Sequence, residues 1–391
     1  MVKWHRWATA AVGGASTLAL SVALSATAVP SAFADERADQ RQTGRPNPAV
    51  QRGLDGLVRD DRFPGALATV RGRDGRSHTY TAGVSDTVTK RRVPADGRVR
   101  LASNTKAFTA VVVLQLVGEG RVGLDEPVET YLPGVVRGPV DGRGITVRHL
   151  LQHTSGIADY DEPIIGTDYF AVRHRHFEPR DLVDAGLAQP AVAPKGTFSY
   201  SNTNYILAGL IAQKVTGRPI GEEITRRVLK PAGLRDTYWP QLGVETIDGP
   251  HPHGYMATAP DAPFVDVTEQ DTSLAWAAGQ LIGTPGDLNR FFGALLDGKL
   301  LRAEQLAAMK STVDAPGFST VDGPRYGLGI GTFPLSCGGF AWTHGGNAPG
   351  YTTVTGTTED GRSATIAVTA LPTVIEAVRH LDKALDTALC A

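Results

Sequence analysis

The sequence predicts an α/β fold: an antiparallel sheet flanked by helices, with a mostly helical lobe inserted between the N- and C-terminal strands. Three observations predict it. Two short alternating runs, "GALATVRG" and "SHTYTAGV", bracket "RDGR", which is a hairpin signal. Strand-like runs return only after Tyr326, and the stretch between carries helical patterns. Strands at both ends with helices between them suggest one sheet completed from both sides and a cleft where the lobes meet.

Each element has its own reason. "TKAFTAVVVLQLVGEG" is apolar over several turns and stops at Gly118 and Gly120, so its length favours a buried helix despite its valines. "ITVRHLLQHTSG" reads as a short capped helix ending at Gly156, and "NTNYILAGLIAQKVTG" as an amphipathic helix with a glycine stop. "PGDLNRFFGALLDG" and "RAEQLAAMKS" are further helices. "YGLGIGTF", "GFAWTHGG", "YTTVTGTT" and "SATIAVTAL" are successive strands, and "VIEAVRHLDKALDTAL" is a closing helix. The expected sheet lobe is 48–98 with 315–391, and the helical lobe is 99–314.

Composition bounds the function. With 391 residues, 41% hydrophobic, 20% charged and a net charge of −1, the chain can bury a large core without a metal. Neither charge sign dominates, which argues against a nucleic-acid partner. Lys3, His5 and Arg6 precede an apolar run and an A-x-A pattern at Ala32-Phe33-Ala34. That order reads as an export signal over 1–34, with a retained membrane anchor as the competing reading. Residues 35–47 are polar and read as a flexible leader. The expectation is a secreted monomer with no stable membrane anchor once the signal is cleaved. Cys337 and Cys390 are the only cysteines, so one intramolecular disulfide is possible; two unpaired thiols is the alternative.

Three motifs carry chemistry. In "RLASNTKAFTA", Ser103 and Lys106 lie one helical turn apart. Ser103 reads either as a helix cap or as a nucleophile whose base partner is a lysine of lowered pKa. In "FSYSNTNY", Tyr200 and Asn202 read as a core tyrosine and a cap, or as a proton relay and an orienting amide. In "WTHGGNAPGY", His344 precedes Gly345 and Gly346, a turn or an open strand edge that an extended acyl group could approach. The histidine pairs His174/His176 and His251/His253 lack further ligands, so no metal is expected. "HTSG" at His153 lacks the G-x-S-x-G elbow and reads as a helix end at the mouth of the cleft.

Together, Ser103-x-x-Lys106, Tyr200-x-Asn202 and His344-x-Gly346, with "TVRHLLQHTSG" and "HGGNAPGY" around them, resemble the penicillin-recognising serine hydrolases. This is the family of secreted D-Ala-D-Ala carboxypeptidases, class C β-lactamases and their D-aminopeptidase and esterase relatives. The resemblance runs from about Pro48 onward, includes the cysteine pair, and implies a β-lactamase/transpeptidase-like fold. It implies an acyl-serine intermediate on Ser103, proton traffic through Lys106 and Tyr200, Asn202 holding Lys106, and His344 tuning the field near Tyr200 and helping return the proton. The oxyanion would sit between the N–H groups of Ser103 and Asn347, beside Gly345 and Gly346. No cofactor is implied. The substrate would be a small peptide or β-lactam, first of all a D-alanyl-D-alanine cell-wall peptide. The alternatives are D-aminopeptidase or amidase, esterase or β-lactamase chemistry, or a penicillin-binding protein without turnover. One departure bears on this choice. Gly345 and Asn347 stand where the family's carboxypeptidases use hydroxyls to hold a carboxylate, and no cation follows Arg325 on its strand. A neutral leaving group, or a substrate with a free amino terminus, fits those residues better.

Overall fold

The computed structural model describes residues 46–391 except Thr167. The expected export signal, and the leader up to residue 45, lie outside the described residues. Helix α1 (Pro48–Asp60) opens the fold. Asn47 caps it through its side-chain oxygen, Pro48 takes the first turn, and Val50, Leu54 and Leu57 bury one face. The sequence reading missed this helix because Gly53 and Gly56 each weaken the helical signal by about 1 kcal/mol. Packing supplies what propensity lacks: each buried Leu or Val contributes about 1.5–3 kcal/mol.

The hairpin β1 (Gly65–Arg71) and β2 (Ser77–Gly83) follows as expected. Then β3 (Val99–Arg100) leads through a single 3₁₀ turn, Ala102–Asn104, into the buried α2 (Thr105–Gly118). Next come α3 (Val128–Tyr131), α4 (Val147–Leu151), α5 (Asp161–Ile165), α6 (Pro179–Leu187), α7 (Asn202–Thr216) and α8 (Ile220–Ile224). A strand pair, β4 (Tyr255–Met256) and β5 (Val265–Asp266), precedes α9 (Trp276–Gly279), β6 (Ile282–Gly283), α10 (Pro285–Leu296) and α11 (Ala303–Lys310). The chain then returns to the sheet with β7 (Val313–Asp314), β8 (Arg325–Tyr326), β9 (Gly331–Pro334), β10 (Phe340–Thr343), β11 (Gly346–Ala348), β12 (Tyr351–Thr358) and β13 (Ser363–Val368). Helix α12 (Ile375–Cys390) closes it.

One antiparallel sheet runs in the order β2-β1-β13-β12-β10-β9-β8-β7, with β11 paired to β12 alone. Ala66 of β1 faces Val368 of β13, so the first and last strands meet in the sheet. Helices α1 and α12 pack together on one face, burying Leu54 and Leu57 with Leu381, Leu385 and Leu389. Helix α10 covers the other face. Its Asn289 donates to the Thr69 carbonyl at 2.7 Å and accepts from Thr365 at 2.8 Å. Every residue of β13 is therefore buried. Cys337 and Cys390 are bonded, tying α12 to the loop between β9 and β10.

Three expectations need correction. Helix α7 is not amphipathic: eight of its residues from Thr203 to Ile211 are buried apart from Leu210, because neighbouring helices surround it. "YGLGIGTF" is two strands, β8 and β9, because Gly327 turns back to Ile330 and Leu328 donates to the Met309 carbonyl instead of a sheet partner. Helix α4 stops at Leu151 and does not reach Gly156, because His153 takes a left-handed φ of 57°.

Candidate active site

The site forms where α2, the loop before α7, α9 and the β11–β12 hairpin converge. Ser103 is not a cap. It sits in the 3₁₀ turn before α2, and no side-chain cap bond serves either end of that turn. Ala102, just before it, holds a left-handed φ of 47°, a conformation that costs an L-residue about 1–2 kcal/mol. This kink presents Ser103 Oγ to Lys106 Nζ, which donates to it at 2.9 Å.

Lys106 is buried, and its ammonium is held by three acceptors. Besides Ser103 Oγ, these are Asn202 Oδ1 at 2.6 Å and the Ala278 carbonyl at 2.8 Å. Burial pulls its pKa down to about 7, against the opposing charges of Asp159 and Asp161. The geometry then fixes what a neutral Lys106 must do. Asn202 Oδ1 and the Ala278 carbonyl can only accept, so they take both hydrogens of the neutral amine. The remaining lone pair faces Ser103.

Asn202 is not the cap of α7 but its first residue; Ser201 stands at the cap position. Its amide nitrogen donates to Asp161 Oδ2 at 2.9 Å and Asp159 Oδ2 at 3.2 Å, which turns its oxygen toward Lys106. The two acids were not singled out from sequence. In "ADYDEP" they look like solvated loop residues, and only the tertiary fold brings them to Asn202. Burial pushes both carboxyls upward, and the charge of Asp159 raises Asp161 further.

Tyr200 lies beside this group, with Lys106 Nζ 5.0 Å from its ring centre and Ser103 in hydrogen-bond contact with its phenol. Burial keeps the phenol well above its ordinary pKa, so it stands protonated. Beneath it stacks His153, with ring centres 4.2 Å apart. His153 is not at the mouth of the cleft. It is fully buried, and its Nδ1 accepts from the Ser201 N–H at 3.2 Å. It is the residue of "HTSG" that the site uses, as the floor under Tyr200.

His344 and Gly345 bridge β10 and β11, so neither lies inside a strand. His344 is buried with its ring centre 6.4 Å from that of Tyr200. Its Nδ1 is 2.6 Å from the Gly345 carbonyl and its Nε2 is 3.0 Å from the Tyr326 hydroxyl. Gly346 is required by close approach: a Cβ there would stand 2.3 Å from the Leu101 carbonyl and 2.7 Å from Asn104 Nδ2. Gly345 meets no such limit, its nearest neighbour being 3.5 Å away. Asn347 is exposed on β11, whose second edge pairs with no strand among the described residues. Strand β11 packs against the turn that carries Ser103. Arg325 does not reach it, being tied to Asp314 and Thr312.

The histidine pairs have ordinary partners: His174 meets Glu245 and His253 meets Asp266, each at 2.6 Å. No cluster of three metal-ligating side chains occurs among the described residues.

A beta-lactamase family model matches residues 49–388, nearly the whole described chain. The chain belongs to the beta-lactamase family. This serine hydrolase superfamily membership agrees with the fold and with the enzyme class that the three motifs imply. A D-stereospecific amidohydrolase from Streptomyces sp. superposes with a TM-score of 0.77 at 38% identity, covering 85% of this chain and 98% of that one. A D-amino acid amidase from Ochrobactrum anthropi SV3, solved with L-phenylalanine amide, gives 0.77 at 28% identity over 88% of this chain and 97% of that one. Penicillin-binding protein 4* of Bacillus subtilis (strain 168) is 29% identical over 307 residues, 75% of this chain and 65% of its own length. The chain thus spans less than two thirds of the curated relatives it matches first.

Proposed function

We propose that this family member hydrolyses amides of D-amino acids that carry a free amino group, through an acyl-serine on Ser103. One observation carries the reading. The acids Asp159 and Asp161 share Asn202 beside Lys106, and the opposite wall offers Gly345 and Asn347 with no cation. An ammonium on the acyl side of the substrate would meet those acids, and its charge would favour their ionised form against the upward push of burial. A carboxylate on the leaving side would find no charged partner and would be costly to bury. The names of the two amidase neighbours support the same substrate class and its D configuration.

The residues divide the work as follows. Neutral Lys106 takes the Ser103 proton as Oγ attacks the amide carbon, and the oxyanion that forms is held by the Ser103 and Asn347 N–H groups. Tyr200, protonated, gives its proton to the leaving nitrogen, the C–N bond breaks, and the proton on Lys106 replaces it. Water then attacks the acyl-serine, its proton returns to Ser103 Oγ, and the free acid leaves. D-Alanyl-D-alanine carboxypeptidase activity is the second reading, favoured by the similarity to the penicillin-binding relative. Secretion of a monomer stays part of the proposal.

The test compares D-phenylalanine amide, its N-acetyl derivative and a peptide ending in D-Ala-D-Ala, with Ser103→Ala as the blank. The expected result is turnover of the free amine, at least about tenfold loss on acetylation, and loss of that preference in a double variant with Asp159→Asn and Asp161→Asn. Preference for the D-Ala-D-Ala peptide would replace the amidase reading with the carboxypeptidase one.

A further inference from the structure

The mechanism above leaves His344 without a step, although it is buried at the edge of the site. Its two ring nitrogens show why. Nδ1 stands 2.6 Å from the Gly345 carbonyl, which can only accept, so Nδ1 carries a hydrogen. Nε2 stands 3.0 Å from the hydroxyl of Tyr326, a residue with no exposed surface.

We propose that Tyr326 is a positioning residue that locks His344 in its neutral, Nδ1-protonated form, so that His344 serves the site as a fixed dipole and not as a proton carrier. A neutral ring protonated at Nδ1 leaves a lone pair on Nε2. A buried lone pair needs a donor, and the Tyr326 O–H is the only one in contact with it among the described residues. Among the described residues, the neighbouring Tyr205 oxygen competes for the Tyr326 hydrogen. Tyr205 commits its own hydrogen to the Leu151 carbonyl at 2.8 Å, so it cannot donate back and leaves Tyr326 as the group whose rotation decides.

The surroundings of the ring favour the neutral state. From β8 comes Tyr326, from the loop before α7 Tyr200, and from the segment after β7 Phe318, its ring centre 5.7 Å away. Lys106 of α2 acts on His344 through space, and its charge would repel an imidazolium. No carboxylate touches the ring among the described residues. Burial, with the Lys106 charge, accordingly takes His344 down to about 3. With Nε2 occupied by Tyr326, neither nitrogen is free to pass a proton to Tyr200. This departs from the proton-returning role expected from the sequence.

The test reads the ring directly, on the full chain and without substrate, so it stands or falls separately from the amidase proposal. In ¹⁵N-histidine-labelled protein at pH 7, with His344→Gln to assign the signals, Nδ1 should be protonated and Nε2 a hydrogen-bonded lone pair. An imidazolium, or a hydrogen on Nε2, would overturn the inference even if Tyr326→Phe did not fold. In Tyr326→Phe, the Gly345 carbonyl still holds the Nδ1 hydrogen, but the Nε2 lone pair loses its donor, which should raise the His344 titration by about one pH unit or more. With whichever substrate is turned over, kcat should acquire a new pH-dependent limb while KM stays unchanged. A kcat lowered equally at every pH, with the His344 titration unmoved, would reduce Tyr326 to a packing residue and refute its positioning role.

Discussion

Lys106 Nζ donates to Asn202 Oδ1 at 2.6 Å, while the other end of the same amide is held by Asp159 and Asp161. The amide cannot flip without setting like groups against each other, so Lys106 always meets an acceptor there. Asn202→Leu should lower the rate of Ser103 acylation by about 10²-fold or more, within the range expected for a misdirected base. A single-turnover assay checks this, and an unchanged rate would remove Asn202 from the machinery.

The same burial that lowers Lys106 sets a pH dependence. A lysine works as a base only when uncharged, and its pKa here is about 7. Acylation should therefore rise with pH through about 7 and level off above it. Burst measurements between pH 5 and 9 on an uncharged ester would show the limb, and a flat profile would mean that Lys106 does not take the proton.

Two adjacent glycines should behave differently. Gly346→Ala places a methyl group against the Leu101 carbonyl, at an ideal distance of 2.3 Å, and should cost about 1–3 kcal/mol together with most activity. Gly345→Ala meets only ordinary contact at 3.5 Å and should fold as stably as the parent. Paired thermal melts decide this; equal losses would contradict the account of the strand's approach to Ser103.

Breaking the disulfide should separate stability from chemistry. Cys337 and Cys390 are 53 residues apart, a loop whose closure contributes on the order of 4 kcal/mol in the chain-entropy model. The bond ties α12, which packs on the sheet face away from α10 and the helical lobe. The double variant Cys337→Ser and Cys390→Ser should lose stability of up to about that size while Ser103 acylates at the parental rate below the melting point.

Much of this was legible from sequence for physical reasons. Ser103, Lys106, Tyr200 and Asn202 sit at element starts, where spacing along the chain nearly dictates spacing in space, and the structure brings all four together. The hairpin at β1 and β2 and the long apolar helix α2 were legible because period and turn chemistry agreed. What stayed hidden depends on contacts across long stretches of chain. Asp159 and Asp161 lie more than forty residues before Asn202's helix, and the Ala278 carbonyl that completes the Lys106 cradle carries no side-chain signature at all. Helix α1 was masked by two glycines, and α7 read as one-sided because burial on every side cannot be told from a pattern.

The meeting of β1 with β13 also sets the order of assembly. A ribosome delivers β1 almost three hundred residues before the strand that must lie beside it, so the newborn hairpin waits with one edge unpaired. Such distant pairing slows folding and leaves a template for wrong partners. The segment from Ser363 onward is thus the keystone: until it arrives the sheet has no middle, α1 has no helix to lean on, and the nucleophile's turn has no finished wall behind it. Loss of that last piece should yield a chain that aggregates, not a shorter enzyme.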